Sequence, residues 1–361
     1  MTDAPIAAGD QTLLRRLNAS AVLTALRDRH PQTVRELATR IGLSRPTVEA
    51  AIAELLAGGW VDELAPEGGG MGRPARRYRF RAAARFVFGI DIGAHKVLGM
   101  LSDLEGRVVA SRRVTVDPDD GARRRLTAAR TVANRCLTAA SVAPASVCAA
   151  GIGTPGVVDA TGTVTITDVL PEWIGLPIAR EIGRFLSCPV LVENDATLAA
   201  LAERWRGAAP DVDDVVYILA GQRVGAGILI RGKPHRGYHG AAGEIAYAGF
   251  LGVNSVIPLD ETVLAAAAGG EPRAVATVDD FTLQLATYVA ALVLALDPEL
   301  VVIGGGLSRS SDLLLPGLES ALAGLCLVPP RLAASTMGDE SVAIGALRLA
   351  LDHAHRHLMA I

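Results

Sequence analysis

Two side chains that could bind or deprotonate a hydroxyl-rich ligand stand side by side near the middle of the chain. Asn194 and Asp195 follow an apolar run at 189–192 and precede an alanine-rich apolar segment, so we expect a strand to end and a helix to begin there. Ligands of open α/β sheets bind at the carboxyl ends of strands. A carboxylate beside an amide can hold two hydroxyls of a polyol or take a proton from one. Asn and Asp are also favoured helix caps, and the local sequence alone favours that simpler interpretation.

The elements that would position this pair predict a mixed α/β sheet. Three strands in succession, a long helix and then strands alternating with helices are the pattern of such a fold. The expected strands are residues 86–93, 97–101, 108–116, 147–152, 214–219, 228–230 and 301–303, and the long helix spans about 122–140. Glycine-rich turns at 153–156, 221–227 and 304–306 could let a backbone approach a phosphate, although such turns are common.

Residues 12–82 carry the pattern of a winged helix. A first helix is predicted from apolar residues at near-helical spacing, which are Leu13, Leu14, Leu17, Val22, Leu23 and Leu26. Thr33 and Glu36 form a capping box that opens a short helix. After a turn at Gly42, Ser44 caps a second helix. Two helices joined by a glycine turn predict a helix-turn-helix.

The second helix of this motif would enter the major groove of DNA by its N-terminal residues. Those residues are Ser44, Arg45 and Thr47, of which Arg45 could pair with a guanine edge. A basic segment with a Gly-Arg-Pro tripeptide follows and adds the candidate DNA contacts Arg73, Arg76 and Arg77. The tripeptide fits an A·T-rich minor groove, where negative potential attracts arginine. The alternatives are a helical hairpin used for packing and a basic linker that adds only salt-sensitive affinity.

Composition and charge limit the class of protein. The chain has 361 residues, half of them hydrophobic, which is enough for two or three domains. Its net charge is −3, but residues 1–82 hold 12 Arg, no Lys and 9 Asp plus Glu, so the N-terminal part is the nucleic-acid side. The four cysteines form no Cys-x-x-Cys pair, which predicts buried free thiols. The N-terminus lacks a signal-peptide pattern and the apolar run at 285–296 is too short for a membrane span, so we expect a cytoplasmic protein with a core helix there.

These motifs together resemble the ROK family of repressors and sugar kinases, over about residues 13–351. The matching motifs are the helix-turn-helix with Gly72-Arg73-Pro74, Asp91-Ile92-Gly93, Gly153-Thr154-Pro155-Gly156, Glu193-Asn194-Asp195-Ala196, Gly240-Ala241-Ala242-Gly243-Glu244 and Ile303-Gly304-Gly305-Gly306. The resemblance implies an α/β protein with an N-terminal winged helix-turn-helix followed by a two-lobed actin-like (ribonuclease H-like) ATPase/sugar kinase fold. It implies a DNA-binding domain at 1–82 and a ROK domain at 83–361, with lobe one at about 83–195 plus the C-terminal helix and lobe two at about 196–344.

The resemblance also implies roles for single residues and reverses the preference for a simple helix cap. In family kinases the residue that matches Asp195 is the base that deprotonates the sugar hydroxyl. The expected ligand-binding residues are Asn194, Asp195, Glu244 and Gly156. The expected remnants of the nucleotide-binding turns are Asp91, Gly93, Gly225 and Gly305.

Several departures from the family pattern argue against catalysis. The first phosphate turn of the family reads Asp-x-Gly-Gly-Thr, and here Ala94 and His95 replace its last two residues. The second turn reads Gly-Thr-Gly in the family, and here Gln222 and Arg223 follow its first glycine. Backbone donors cradle a phosphate only if it can come close, so ATP binding is not expected and Asp195 would be a vestigial base.

The zinc motif of the family is missing as well. Its histidine position is Tyr247, and no cysteine occurs from there to Gly270. A closed zinc site needs four ligands, so we expect neither zinc nor another cofactor. The last sugar-contacting Glu of that motif has no firm counterpart, and Asp260 and Glu261 are the candidates.

Three hypotheses follow from these patterns. The first is a non-catalytic transcriptional regulator, a repressor that responds to a sugar or sugar-derived ligand between the lobes. It would act as a homodimer or homotetramer on an inverted-repeat DNA operator, without a membrane partner. The second is an ATP-dependent, glucokinase-like sugar kinase with Asp195 as base. The third is a DNA-binding scaffold that has lost its effector.

Overall fold

A computed structural model describes residues 9–27, 30–65, 75–220, 224–245, 259 and 261–358. Several residues that the sequence singles out lie outside these ranges. They are Arg73, Gln222, Arg223, Tyr247 and Asp260.

A small helical domain with a three-stranded sheet comes first. Its elements are α1 (Gly9–Leu26), β1 (Gln32–Thr33), α2 (Val34–Ile41), α3 (Arg45–Ala57), β2 (Val61–Leu64) and β3 (Arg77–Phe80). The strands are antiparallel in the order β1-β3-β2. The capping box is confirmed, because Thr33 and Glu36 bond each other's backbone at the start of α2. Gly42 ends α2 with φ 70°, a left-handed conformation that suits glycine. The helix-turn-helix is therefore as the sequence predicts, and strands β2 and β3 stand on either side of the predicted wing tip, which lies outside the described residues.

The first predicted helix is confirmed as α1, and half of the apolar residues that predicted it are buried. Val22, Leu23 and Leu26 lie in the core of the domain. Leu13, Leu14 and Leu17 lie nearer the start of the helix and are 55–62% exposed. The 18 residues of α1 make a helix of about 27 Å, whereas the 13 residues of α3 span only about 20 Å. The part of α1 that can pack against α3 is therefore shorter than the whole of α1.

The first lobe of the larger domain is built on a five-stranded sheet. Its elements are β4 (Phe86–Ile92), β5 (Lys96–Asp103), β6 (Val108–Thr115), α4 (Ala122–Ala140), β7 (Val147–Thr154), β8 (Val157–Val158), β9 (Val164–Ile166), α5 (Ile178–Leu186) and β10 (Val190–Asn194). The sheet order is β10-β7-β4-β5-β6, with β10, β7 and β4 parallel and β5 and β6 antiparallel. The carboxyl ends of the parallel strands meet at one edge, so Asp91, Thr154 and Asn194 come together there.

The second lobe repeats this architecture. Its elements are α6 (Asp195–Arg206), β11 (Val215–Ala220), β12 (Val224–Ile230), β13 (Lys233–Pro234), α7 (Glu261–Ala268), α8 (Pro272–Leu296), β14 (Leu300–Gly305), α9 (Ser311–Leu325) and β15 (Arg331–Ala334), and α10 (Ser341–Leu358) closes the chain. The sheet order is β13-β12-β11-β14-β15. The sequence assigned 221–227 to a turn, but residues 224–227 belong to β12 and Gly225 pairs with Leu219. Gly227 fits there because a Cβ would lie 2.0 Å from the Ala196 carbonyl oxygen, so the glycine lets α6 approach the strand.

Helix α8 is longer than its most apolar run suggests. It begins at Pro272 and has 25 residues, so the apolar run at 285–296 is only its second half, and the predicted core helix is confirmed. Among the described helices it alone is long and apolar enough to cross a bilayer, by length and composition only. Half of its most apolar stretch is buried, and its inner face packs in the core of the second lobe through residues such as Phe281 and Val289.

The C-terminal helix α10 leaves the second lobe and packs on the first sheet. A Cβ on Gly151 would lie 2.1 Å from the Ala346 carbonyl oxygen, so β7 and α10 touch through their backbones. A Cβ on Gly345 would lie 1.8 Å from the Leu198 carbonyl oxygen, which puts α6 and α10 in equally direct contact. At these two glycines α10 therefore contacts both lobes backbone to backbone.

The winged helix packs against the first lobe. One continuous apolar cluster contains Val22, Leu26 and Trp60 of the winged helix together with Met100 and Leu347 of the larger domain. A short 3-10 turn at Ala82–Ala84 connects the two domains. The winged helix thus rests on lobe one and α10.

Candidate functional site

The first residues of α3 present the side chains that the sequence predicts for DNA reading. Ser44 caps the helix, and its hydroxyl accepts from the Thr47 amide at 3.3 Å and lies 2.7 Å from the Thr47 hydroxyl. Arg45 is exposed and forms no ion pair within the described part of the chain. Val48 and Ile52 anchor the other face of α3 in the core. The helix therefore holds Arg45 outward on a rigid support.

The arginines of the wing divide into two groups. Arg76 is exposed and forms an ion pair with Glu63 at 3.2 Å. Arg77 instead turns inward, and its guanidinium donates to the Pro31 carbonyl at 2.9 and 3.3 Å. Its contact fastens β3 beside the start of β1, so Arg77 has a structural bond that the sequence analysis missed. Arg73 lies outside the described residues, and its role stays a prediction.

The cleft between the lobes is organised by Asn194. Its side-chain oxygen accepts from the Thr197 amide at 3.1 Å and so caps α6. Its side-chain nitrogen donates to the Gly156 carbonyl at 3.2 Å and to the Glu244 carboxylate at 3.3 Å. Asn194 can therefore cap α6 and also bind a ligand, because the oxygen and the nitrogen of its side-chain amide face different groups. The carboxylate, the amide and the carbonyl oxygen form a polar cluster that could hold hydroxyl groups.

Asp195 lies beside this cluster with a perturbed carboxyl group. Burial raises its pKa to about 7, and the carboxylates of Asp91 and Glu244 add to the rise. Its Oδ1 accepts from the Ala196 amide at 2.8 Å, which opposes the rise. Burial raises the pKa of Glu244 too, helped by Asp168. A carboxyl with a pKa near neutral could exchange a proton with a bound hydroxyl.

A second buried carboxylate, Glu193, sits behind the cleft. Burial raises the pKa of Glu193 even though Arg236 Nε lies 2.5 Å from its Oε2. The two groups form an ion pair in which the N–H is not aligned as a hydrogen bond. Arg236 belongs to the loop that ends at Glu244, and the pair therefore ties that loop to the end of β10. The sequence showed Arg236 only as part of a turn.

The first phosphate turn is fastened from behind by a buried arginine. Arg125 is completely buried, and its Nη1 donates to the carbonyls of Gly93 and Ala94 at 2.9 and 3.0 Å. It also pairs with Glu172 at 3.2 Å. Arg125 lies in the first turn of α4, as the last of three consecutive arginines, and the sequence analysis did not single it out.

Asp91 and the remaining glycines lie around the same edge. Burial raises the pKa of Asp91 to about 6, although its carboxylate pairs with Lys96 at 3.3 Å. Gly225 faces the start of α6, where a Cβ would lie 3.8 Å from that of Ala196. Gly305 ends β14 with φ 74°. The four predicted nucleotide-turn residues are thus at or beside the strand ends that flank the cleft.

Comparisons with known proteins agree with this architecture. The sequence profile of the ROK family matches residues 87–250 and 259–353, and that of the MarR family matches residues 15–70. The crystal structure of a ROK family transcriptional regulator, a homologue of the E. coli MLC protein, has the same fold with a TM-score of 0.73 at 20% identity, covering 96% of this chain and 98% of that one. The fold is therefore a winged helix-turn-helix followed by the two-lobed, actin-like ROK body.

Both repressors and kinases are among the similar proteins. A xylose repressor of Caldicellulosiruptor bescii is 28% identical over 243 residues, which are 66% of this chain and 60% of the repressor's length. A ROK family glucokinase from Streptomyces griseus, solved with glucose and AMPPNP, has a TM-score of 0.60 at 25% identity and covers 74% of this chain and 99% of its own. Because the family profile spans more than half of its residues, the chain belongs to the ROK family.

Proposed function

We propose that this protein is a sequence-specific DNA-binding repressor whose affinity for DNA is controlled by a sugar or sugar derivative, without catalysis. The observation that carries the proposal is the pairing of an exposed reading helix with an interlobe cleft, both resting on lobe one. Asn194, Glu244 and Gly156 supply the polar groups of that cleft. The similarity to a protein named as a xylose repressor supports a sugar as the ligand class.

The ligand would act by favouring one arrangement of the lobes. The Asn194–Glu244 bond joins the two lobes, so a hydroxyl that inserts there changes their contact. A ligand shifts such an equilibrium only through its different affinity for the two arrangements. Since the winged helix rests on lobe one and α10, a lobe movement would change the position of the reading helix.

The assembly on DNA would be symmetric. A homodimer or homotetramer presents two winged helices that read an inverted repeat, with half-sites separated by whole turns of about 34 Å. A repressor works on the chromosome, so we place the protein in the cytoplasm, with no membrane partner. The missing zinc motif and the altered phosphate turns lead us to propose that it binds neither zinc nor ATP.

The test is selection from a random double-stranded DNA library with the full-length protein, followed by footprinting with a panel of monosaccharides that includes xylose. We expect a palindromic footprint that one sugar weakens or strengthens. No sequence preference above competitor DNA would overturn the proposal. A specific footprint that no sugar alters would favour a scaffold without an effector.

A sugar kinase is the second candidate, because one observation favours it. Asp195 has a pKa near 7 and lies beside the polar cluster, which suits a general base. Against it stand Ala94 and His95 in the first phosphate turn, and Gln222 and Arg223 in the second. An ADP-release assay over the same sugars distinguishes the two candidates. Turnover that Asp195→Asn abolishes would establish the kinase.

A further inference from the structure

His355 of α10 connects the winged helix, the linker and lobe one. Its Nδ1 lies 2.7 Å from Arg27 Nη2 at the end of α1, and its Nε2 lies 2.8 Å from the Leu104 carbonyl oxygen. The Leu104 amide in turn donates to the Ala82 carbonyl at 3.1 Å. We propose that His355 is a positioning residue that holds the winged helix in one orientation on lobe one and thereby sets its affinity for DNA. The DNA part of this inference rests on the proposed function.

The hydrogen-bond partners of His355 fix the protonation state and the tautomer of its imidazole. A guanidinium only donates, so Nδ1 of His355 must accept from Arg27. The proton is therefore on Nε2, which donates to the Leu104 carbonyl. Both bonds exist together only in this neutral tautomer.

The surroundings favour the neutral form. The charged groups that face His355 are Arg27 of α1, Glu105 of the β5–β6 turn, and Arg348 and Asp352 of α10, which with Trp205 line a cavity of about 180 Å³. Burial, followed by the charge of Arg27, lowers the pKa of His355. Asp352 is already bound by Arg348 at 2.9 and 3.1 Å. A proton on Nδ1 would remove the acceptor and set two cations against each other.

The contact at Arg27 extends to the reading helix. The Ala25 carbonyl, two residues before Arg27, accepts from Gln32 at 2.8 Å and from Arg40 at 3.2 Å. The end of α1 is thereby bound to β1 and α2, and the buried face of α1 shares a core with α3. A contact that fixes Arg27, such as the one with His355, therefore also fixes the position of the helix-turn-helix.

Two substitutions separate positioning from simple stability. His355→Gln keeps a donor and an acceptor but does not titrate, whereas His355→Ala loses both bonds. His357→Gln is the matched control, because His357 is exposed on the same helix. Amide hydrogen exchange of the full-length proteins at pH 8 measures directly how firmly the winged helix is held on lobe one. We expect exchange in residues 19–27 and 82–104 to rise at least about threefold in His355→Ala and to stay within about twofold of wild type in the other two variants.

DNA affinity gives a second readout, with the duplex that the wild-type protein selects from a random library. At pH 8 we expect His355→Ala to bind roughly tenfold more weakly and His355→Gln to bind like wild type. Between pH 8 and 5.5 the wild type should lose at least about fivefold more affinity than His355→Gln. If wild type and His355→Gln share one pH profile, or if His355→Ala keeps wild-type exchange, the inference is overturned. Failure of the wild type to select any sequence would overturn the proposed function instead, and the exchange measurement would still decide the positioning role.

Discussion

The side-chain amide of Asn194 donates across the cleft to the carboxylate of Glu244 at 3.3 Å. The amide stands at the end of β10 in lobe one, and the carboxylate stands in the 235–245 loop of lobe two. Each group has a further polar neighbour, Gly156 for the amide and Asp168 for the carboxylate. A ligand hydroxyl that replaced this bond could touch both lobes at once.

Glu244→Gln should reduce the response to ligand while the fold persists. The substitution removes the charged acceptor but keeps the size of the side chain. A sugar at 100 times its Kd stabilises the wild type by about 2.7 kcal/mol, and we expect the variant at the same sugar concentration to gain less than about 1 kcal/mol. Thermal unfolding with and without the sugar that shifts the wild type measures this. Glu319→Gln, on the exposed face of α9, is the control and should respond like wild type.

Asp195→Asn should stabilise the protein increasingly as the pH rises. Burial raises the pKa of Asp195 from 3.8 to about 7, so its ionisation opposes folding. The stability that wild-type Asp195 contributes to the unfolding free energy is therefore fully present below pH 3.8 and is lost as the pH rises towards 7. The variant does not ionise, and its advantage in unfolding free energy should grow from about zero at pH 4 to roughly 2–4 kcal/mol at pH 8. Urea unfolding at several pH values measures the difference, and a constant advantage across this range would contradict the raised pKa.

Arg125→Met should destabilise lobe one strongly. The guanidinium donates to four carbonyl oxygens, those of Gly93, Ala94, Asp117 and Pro118. Removing one partner of a buried charged network costs about 3–5 kcal/mol. Urea unfolding is the measurement, and the exposed neighbour Arg124→Ala should change stability by less than about 0.5 kcal/mol. Equal effects of the two substitutions would mean that the phosphate turn does not depend on Arg125.

Arg45→Ala should relax base preference on DNA. If Arg45 bonds a guanine with both of its terminal nitrogens, its loss costs roughly 1–3 kcal/mol at that base and leaves other positions unchanged. Binding to the selected duplex and to its single-base variants measures this. Arg130→Ala removes an exposed arginine from α4, which packs in a different apolar cluster from the reading helix, and should leave the base preference intact. An equal loss on every sequence would mean that Arg45 touches only phosphate.

Local signals in the sequence predict much of the winged helix and the position of the cleft. The capping box at Thr33 and Glu36 and the glycine at 42 act within a few residues, so their effect is readable before the fold is known. Asn194 is predicted both as a cap and as a ligand group; the cap is confirmed, and the ligand role stays a prediction.

The features that the sequence does not reveal depend on distant partners. Arg125 meets the phosphate turn about 30 residues away, and His355 meets Arg27 across 328 residues. Arg77 reads as a surface charge until β3 pairs with β1 and brings it to Pro31. No periodicity or motif records such contacts, because they form only when the sheets and helices are assembled.

The glycine at the crossing of α6 and α10 has a consequence for genetics. Gly345 belongs neither to the reading helix nor to the polar cluster of the cleft, yet any larger residue there must push α10 away from Leu198. The same helix carries His355 three turns further on. Under the proposed function, a search for variants whose DNA binding no longer responds to the ligand should therefore recover changes at this crossing as well as in the cleft.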